Sequence, residues 1–201
     1  MLIGVRIIAG SLGFRRLEAP PGLATRPTSD RLRETLFNVL APRIEGAAFL
    51  DLYSGSGAVG IEALSRGAAR VEFVEKAPPA LKVLRGNLQK LGLDSPGKTA
   101  GFRIHAVGVG AFLRRAADDP RRERYEVVFL DPPWDAAEEY TATLGLLGCS
   151  AAGLLAANAA VIAEHRKKQR LDDRYGALER TRLLEQGDAA LSFYGVDCLS
   201  L

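Results

Sequence analysis

The sequence predicts an α/β chain: a mostly parallel sheet covered by helices, an antiparallel hairpin at its C-terminal edge, and a small hairpin or arm at the N-terminus. Three observations carry this. From Ala48 onward short apolar runs alternate with stretches at helical spacing, the signature of repeated strand–helix units. Val127-Val128-Phe129-Leu130 carries no charge at any position, as a strand buried on both faces requires. Near the C-terminus, Leu178 to Leu184 and Ala189 to Tyr194 flank the turn signal Gln186-Gly187-Asp188. A length of 201 residues suits one compact domain with a small appendage, divided as an arm over 1–27 and a main domain over 28–201.

Taken in order, Val5 to Ala9 and Leu17 form short apolar runs interrupted by Gly10 and Gly13 and stopped by Pro20-Pro21-Gly22, which reads as a hairpin or extended arm. Leu32, Thr35, Leu36, Val39 and Leu40 recur at helical spacing behind the capping candidates Thr28, Ser29 and Asp30, and Pro42 is expected to close this helix. Strands are expected over 48–53, 71–75, 102–107, 127–130 and 159–164, and helices over 59–66, 79–91, 110–117 and 136–147. No internal repeat is present.

Composition narrows the function classes. The chain is 47% hydrophobic and 25% charged, near the globular average, which excludes collagenous and wholly disordered readings. The longest nearly uncharged stretch, 136–163, is broken by Glu138, Glu139, Gly145, Gly148, Gly153 and Asn158, so no membrane span is expected. The start lacks the pattern of a secretory signal, and a cytoplasmic protein is expected. Cys149 and Cys198 stand far apart, and His105 and His165 are the only histidines; neither a disulfide framework nor a metal site is expected. The net charge of +3 is concentrated at the N-terminus, where residues 1–43 hold seven arginines against three acids. Arg6, Arg15, Arg16, Arg26 and Arg31 are therefore candidate contacts to a polyanion, the guanidinium fork being suited to phosphate. Arg33 is read either as a further contact to a phosphate or to a ligand carboxylate, or as part of a solvated helix face.

The segment Asp51 to Gly60 satisfies GxGxxG where the first long strand passes into a helix. Gly55 and Gly57 permit a tight turn and close backbone approach, and Gly60 lets the helix pack near the strand. Ser54 and Ser56 complete the loop, and Glu75 ends the following strand, where a carboxylate accepts ribose hydroxyls. This predicts an adenosine-containing cofactor. Asp51, four residues before Gly55, would repel the pyrophosphate of a dinucleotide but attract the cationic groups of S-adenosylmethionine. The loop also lacks the GK[ST] of a nucleoside triphosphate site.

Asp131-Pro132-Pro133-Trp134 directly follows the uncharged strand, the end at which open α/β sheets bind ligands. An exocyclic base amine is a poor nucleophile because its lone pair is delocalised. Asp131 and the Pro132 carbonyl can accept its two N–H hydrogens and localise that pair. The paired prolines hold the carbonyl in place, and Trp134 offers a stacking face for a base swung out of its helix.

The two motifs together read as a Rossmann-like class I S-adenosylmethionine-dependent methyltransferase acting on a base amine. The blocks Arg6-Ile7-Ile8-Ala9-Gly10, Thr25 to Asn38, Asp51 to Gly67 and Asp131 to Trp134 resemble, in order and over nearly the whole chain, the bacterial 16S rRNA guanine-N2 methyltransferases (the RsmD family). The resemblance implies methyl transfer to the N2 amine of a guanine in 16S rRNA, within the small ribosomal subunit or an assembly intermediate. Asp51, Ser54, Gly55, Ser56, Gly57 and Glu75 would serve the cofactor, and Asp131, Pro132 and Trp134 the target amine. A monomer is expected. Two departures stand out: Trp134 replaces the family's usual Phe, and Gly108 stands where similar proteins place an Asn or Asp that meets the cofactor's adenine. Two rival readings are a nicotinamide-dependent oxidoreductase, from GxGxxG with Glu75, and a non-catalytic RNA-binding assembly factor, from Gly108.

Overall fold

The computed structural model describes residues 5–20, 30–94, 101–119 and 121–197. They fall into two compact units, 1–106 and 107–201.

The first unit begins with a two-stranded antiparallel hairpin, β1 (Val5–Arg6) and β2 (Arg16–Leu17). Val5, Ile7 and Leu17 point inward and are buried, whereas Arg6 and Arg16 face each other on the outer side. Helix α1 (Asp30–Ile44) runs through Pro42, which does not end it. A proline in the last turn removes one hydrogen bond, and the buried Ile44 holds the remaining residues in place. Arg33 lies inside rather than on a solvated face: it is fully buried, donating to the Arg6 carbonyl and to Asp30 Oδ1.

Strands β3 (Ala48–Leu52), β4 (Arg70–Val74) and β5 (Phe102–His105) pair in parallel in the order β5-β4-β3, linked by α2 (Ala58–Ser65) and α3 (Pro78–Lys90). Every residue of β3 is buried, and Phe49 stacks on Phe37 of α1 with ring centroids 6.4 Å apart. Truncating such a core phenylalanine costs about 3–5 kcal/mol. Because the strands are parallel, their C-terminal ends, and so the Tyr53–Gly57 loop and Glu75, open at one edge.

The second unit holds α4 (Val109–Ala117), β6 (Tyr125–Leu130), α5 (Ala137–Cys149), α6 (Ala151–Leu154), β7 (Leu155–Arg166), β8 (Arg174–Tyr175), β9 (Leu178–Gln186) and β10 (Ala189–Val196). Strand β6 pairs in parallel with β7, and β10 is inserted antiparallel between β7 and β9, with β8 outermost. The expected C-terminal hairpin is present, and its second strand is the inner one: β10 is buried over most of its length. His165 is also inside, its ring nitrogens meeting Ser192 Oγ at 2.9 Å and the Arg166 carbonyl at 2.9 Å, and burial pushes its pKa down. The fold is thus the expected Rossmann-like class I methyltransferase architecture, mostly parallel with antiparallel C-terminal strands. No helix among the described residues is long and apolar enough to cross a membrane.

Candidate functional site

In the first unit the glycine loop is built by its own backbone. Gly55 and Gly57 have φ of +56° and +79°, the left-handed region that glycine adopts without strain. A Cβ on Gly57 would come within 2.3 Å of Leu84, and one on Gly60 within 2.3 Å of the Phe73 ring, so α2 can approach β4 only with glycine there. The Ser54 hydroxyl donates to the Asp51 carbonyl at 2.6 Å and lies 3.3 Å from the Val74 carbonyl, tying the ends of β3 and β4 together. The carbonyl of Ser56 accepts from Asn87 Nδ2 at 3.0 Å.

Two carboxylates accept N–H groups of this segment. Glu75 Oε2 accepts the Gly55 N–H at 2.9 Å while its Oε1 accepts the Ala77 N–H at 2.8 Å. Asp51 Oδ2 accepts the Gly60 N–H at 2.9 Å. Asp51 is buried, and that burial, opposed by the Gly60 N–H and reinforced by the negative charge of Glu75, raises its pKa to about 7. Residues 51–60 contain no lysine or arginine. With both N–H groups met by carboxylates, a pyrophosphate would face two acids, whereas a sulfonium and ammonium find complementary charge; the residues fit S-adenosylmethionine.

In the second unit Asp131 leaves β6 half-buried, Pro132 is buried and Pro133 exposed. The Ala136 N–H donates to the Pro133 carbonyl at 2.9 Å, so the second proline closes the turn and the carbonyl of the first is not the one used. Trp134 is half-buried, with the Arg166 guanidinium 4.9 Å from its ring centroid. Arg166 ends β7, which is parallel to β6, so the two strands deliver Trp134 and Arg166 to the same edge. Such a cation–π contact fixes one face of the indole.

Arg6, Arg15 and Arg16 are exposed on the hairpin, and Arg31 is exposed on α1. Arg6 Nε contacts Asp30 Oδ2 at 2.9 Å, and an Arg15 N–H reaches the Leu91 carbonyl at 3.3 Å. Arg26 lies outside the described residues. Gly108 precedes α4 in an extended conformation, with open space where a side chain would project.

Three residues that matter to these arrangements escape the motifs. Glu62, fully buried in α2, accepts the N–H groups of Ile8 and Ala9 at 2.7 and 3.1 Å and is paired to Arg66 at 2.7 Å. Asn87, buried in α3, exchanges hydrogen bonds with the backbone of Glu18 while also holding Ser56, so one side chain fastens both the arm and the glycine loop. Arg166 braces Trp134. The signal for the first two was a polar residue on an otherwise apolar helix face.

Comparison with known proteins gives the family and the fold. The family model described as Conserved hypothetical protein 95 matches residues 5–195. The chain belongs to this family. The protein is 33% identical over 190 residues to YlbH of Bacillus subtilis, a candidate rRNA methyltransferase, covering 94% of this chain and 98% of that one. Ribosomal RNA small subunit methyltransferase D of Haemophilus influenzae is 39% identical over 132 residues, 65% of this chain and 64% of its own. The solved structure of yhhF from Escherichia coli, a candidate methyltransferase, superposes with a TM-score of 0.79 at 31% identity, covering 97% of this chain and 99% of that one. With these relatives, the chain is a methyltransferase that uses S-adenosylmethionine as donor.

Proposed function

We propose that this protein methylates the exocyclic N2 amine of one guanine in 16S rRNA, acting as a cytoplasmic monomer without a metal on the small ribosomal subunit or its assembly intermediate. The observation that carries the cofactor side is the pair of carboxylates, Asp51 and Glu75, on the N–H groups of Gly60 and Gly55. The rRNA substrate is supported by the relatives' names and by the arginines of the N-terminal arm, 1–27, which we treat as distinct in role from the methyltransferase domain, 28–201.

Gly55, Ser56 and Gly57 would shape the backbone against the donor, Ser54 holds the strand ends that carry the loop, Glu75 would accept the ribose hydroxyls, and Asp51 would supply negative charge. S-adenosylmethionine, when bound, supplies a methyl group on a sulfonium, so that the N–C bond forms as the C–S bond breaks. Asp131 and the Pro132 carbonyl accept the two amine hydrogens, turn the nitrogen lone pair outward, and Asp131 takes the proton that the amine sheds. Trp134, positioned by the Arg166 guanidinium, stacks with the extruded guanine. Arg6, Arg15, Arg16, Arg26 and Arg31 bind phosphates and set the register of the RNA.

Mass spectrometry of rRNA digests from a strain lacking the gene tests this. One N2-methylguanosine should disappear from 16S rRNA and return on complementation. An unchanged digest would contradict the proposal.

A further inference from the structure

At the tip of the N-terminal hairpin, Phe14 is 80% exposed, the most exposed large apolar side chain among the described residues. It also has φ of +66°, a left-handed conformation that a bulky residue rarely adopts. Exposure forfeits the hydrophobic gain that would offset such a backbone, so the fold alone gives no reason for a phenylalanine at this point. The turn cannot relax by sliding. Phe14 N–H donates to the Ile7 carbonyl at 2.8 Å, Ile7 N–H to the Arg15 carbonyl at 2.9 Å, and Ser11 N–H to the Ser65 carbonyl of α2 at 2.8 Å. The Leu12 N–H donates to Ser65 Oγ at 3.0 Å, and Glu62 holds the N–H groups of Ile8 and Ala9. The ring is thus presented on a rigid mount.

Its surroundings are cationic. Arg15 follows it directly, and Arg16 is exposed on the outer face of the hairpin, across from Arg6, whose guanidinium is already met by Asp30 at 2.9 Å; Arg15 and Arg16 are the cations next to the ring in sequence. An exposed aromatic on a fixed turn, with exposed arginines next to it in the chain, matches the chemistry of an unpaired nucleotide: the base stacks on the ring and the adjoining phosphates take the arginines. A duplex offers no free base face to such a tip. We propose that Phe14 is a stacking platform for an unpaired base of the substrate RNA, flanked by phosphate contacts from Arg15 and Arg16. This deepens the RNA reading above and rests on it.

The test measures affinity of the full chain for protein-free 16S rRNA transcript and for unmodified small subunits, using the wild type and Phe14→Ala, Phe14→Gly and Phe14→Tyr. Phe14→Ala and Phe14→Gly should weaken binding to the transcript by roughly 5- to 150-fold, the range for losing one base–aromatic stack. Phe14→Tyr should restore it. Because glycine suits a positive φ, Phe14→Gly should keep or raise the melting temperature, which separates lost stacking from lost folding. Unchanged affinity of Phe14→Ala in a chain that does bind RNA overturns this inference and leaves the RNA reading standing. Weakening seen only with subunits, and not with transcript, also overturns it in favour of an apolar protein contact. A wild-type chain that binds neither overturns both.

Discussion

Glu75 Oε2 accepts the backbone N–H of Gly55 at 2.9 Å, joining the end of β4 to the glycine loop that follows β3. The carboxylate therefore sets the position of the loop before any ribose reaches it. Glu75→Gln keeps the volume and one acceptor but loses the charge. Charge-assisted hydrogen bonds contribute about 1.5–3 kcal/mol, so S-adenosylmethionine affinity should fall by roughly 10- to 100-fold. Isothermal calorimetry reads this directly; a wild-type Kd in the variant would remove Glu75 from the cofactor site.

Asp51 makes cofactor binding depend on pH. Its pKa is raised from 3.8 to about 7, so in the absence of ligand the folded protein holds a proton there that the unfolded chain releases above about pH 4. The sign follows: the contribution of this group to stability is full below its unfolded pKa and is lost as pH rises through about 7. A cationic ligand needs the ionised form, so S-adenosylmethionine affinity should rise by roughly eightfold from about pH 6 to about pH 7.5, the ratio of ionised fractions. Asp51→Asn retains an acceptor for Gly60. It should bind the donor weakly at every pH and be at least as stable as the wild type at about pH 8. A wild-type pH dependence in Asp51→Asn would assign the titration elsewhere.

The glycines of the two helices near the loop should respond oppositely to alanine. Gly60→Ala drives a methyl into the Phe73 ring and to 2.9 Å from the Asp51 carboxylate, and should cost about 1–3 kcal/mol together with cofactor affinity. Gly86, within α3, has nothing within 4 Å of a new Cβ, and Gly86→Ala should stabilise by about 0.5–1 kcal/mol. Urea denaturation distinguishes the two; equal effects would refute the close approach of α2 to β4.

Glu62 of α2 holds the arm through the N–H groups of Ile8 and Ala9 and is itself paired with Arg66, with Arg33 4.0 Å away. Glu62→Ala leaves buried donors and cationic groups without that carboxylate, and should cost about 3–5 kcal/mol. Limited proteolysis should then cut between residues 5 and 20 before the rest of the chain. Protection of that segment in the variant would place the anchor elsewhere.

Local patterns in the sequence made the site motifs legible, because their chemistry depends on near neighbours. The Asp51–Gly60 loop and the Asp131–Trp134 turn lie where the strand–helix alternation puts them, and the boundaries of β3, β4, α2 and α3 differ from expectation by a residue. What escaped depends on distant partners. Strand β8 has two residues and no periodicity; Tyr175 and Tyr194, packed edge to face at 5.8 Å, give it a neighbour that no short window reveals. Strand β7 begins at Leu155 because it pairs with Tyr125 there, although Ala156 and Ala157 have little strand propensity. Helix α1 passes Pro42 because burial of Ile44 outweighs one lost hydrogen bond. Arg33, read either as a ligand contact or as part of a solvated helix face, is instead buried, with Asp30 and the Arg6 carbonyl accepting from it. Trp134 was visible as a stacking residue, but its Arg166 brace comes from a strand more than thirty residues later.

The central claim is that Asp131 activates a guanine amine for methylation. Purified protein is incubated with unmodified small subunits and isotopically labelled S-adenosylmethionine, and the rRNA is digested and analysed by mass spectrometry for the wild type and for Asp131→Ala. The account predicts labelled N2-methylguanosine at one position with the wild type, and a loss of roughly 100-fold or more in Asp131→Ala at unchanged donor affinity. Wild-type turnover by Asp131→Ala, or label on a different atom or nucleoside, would contradict it.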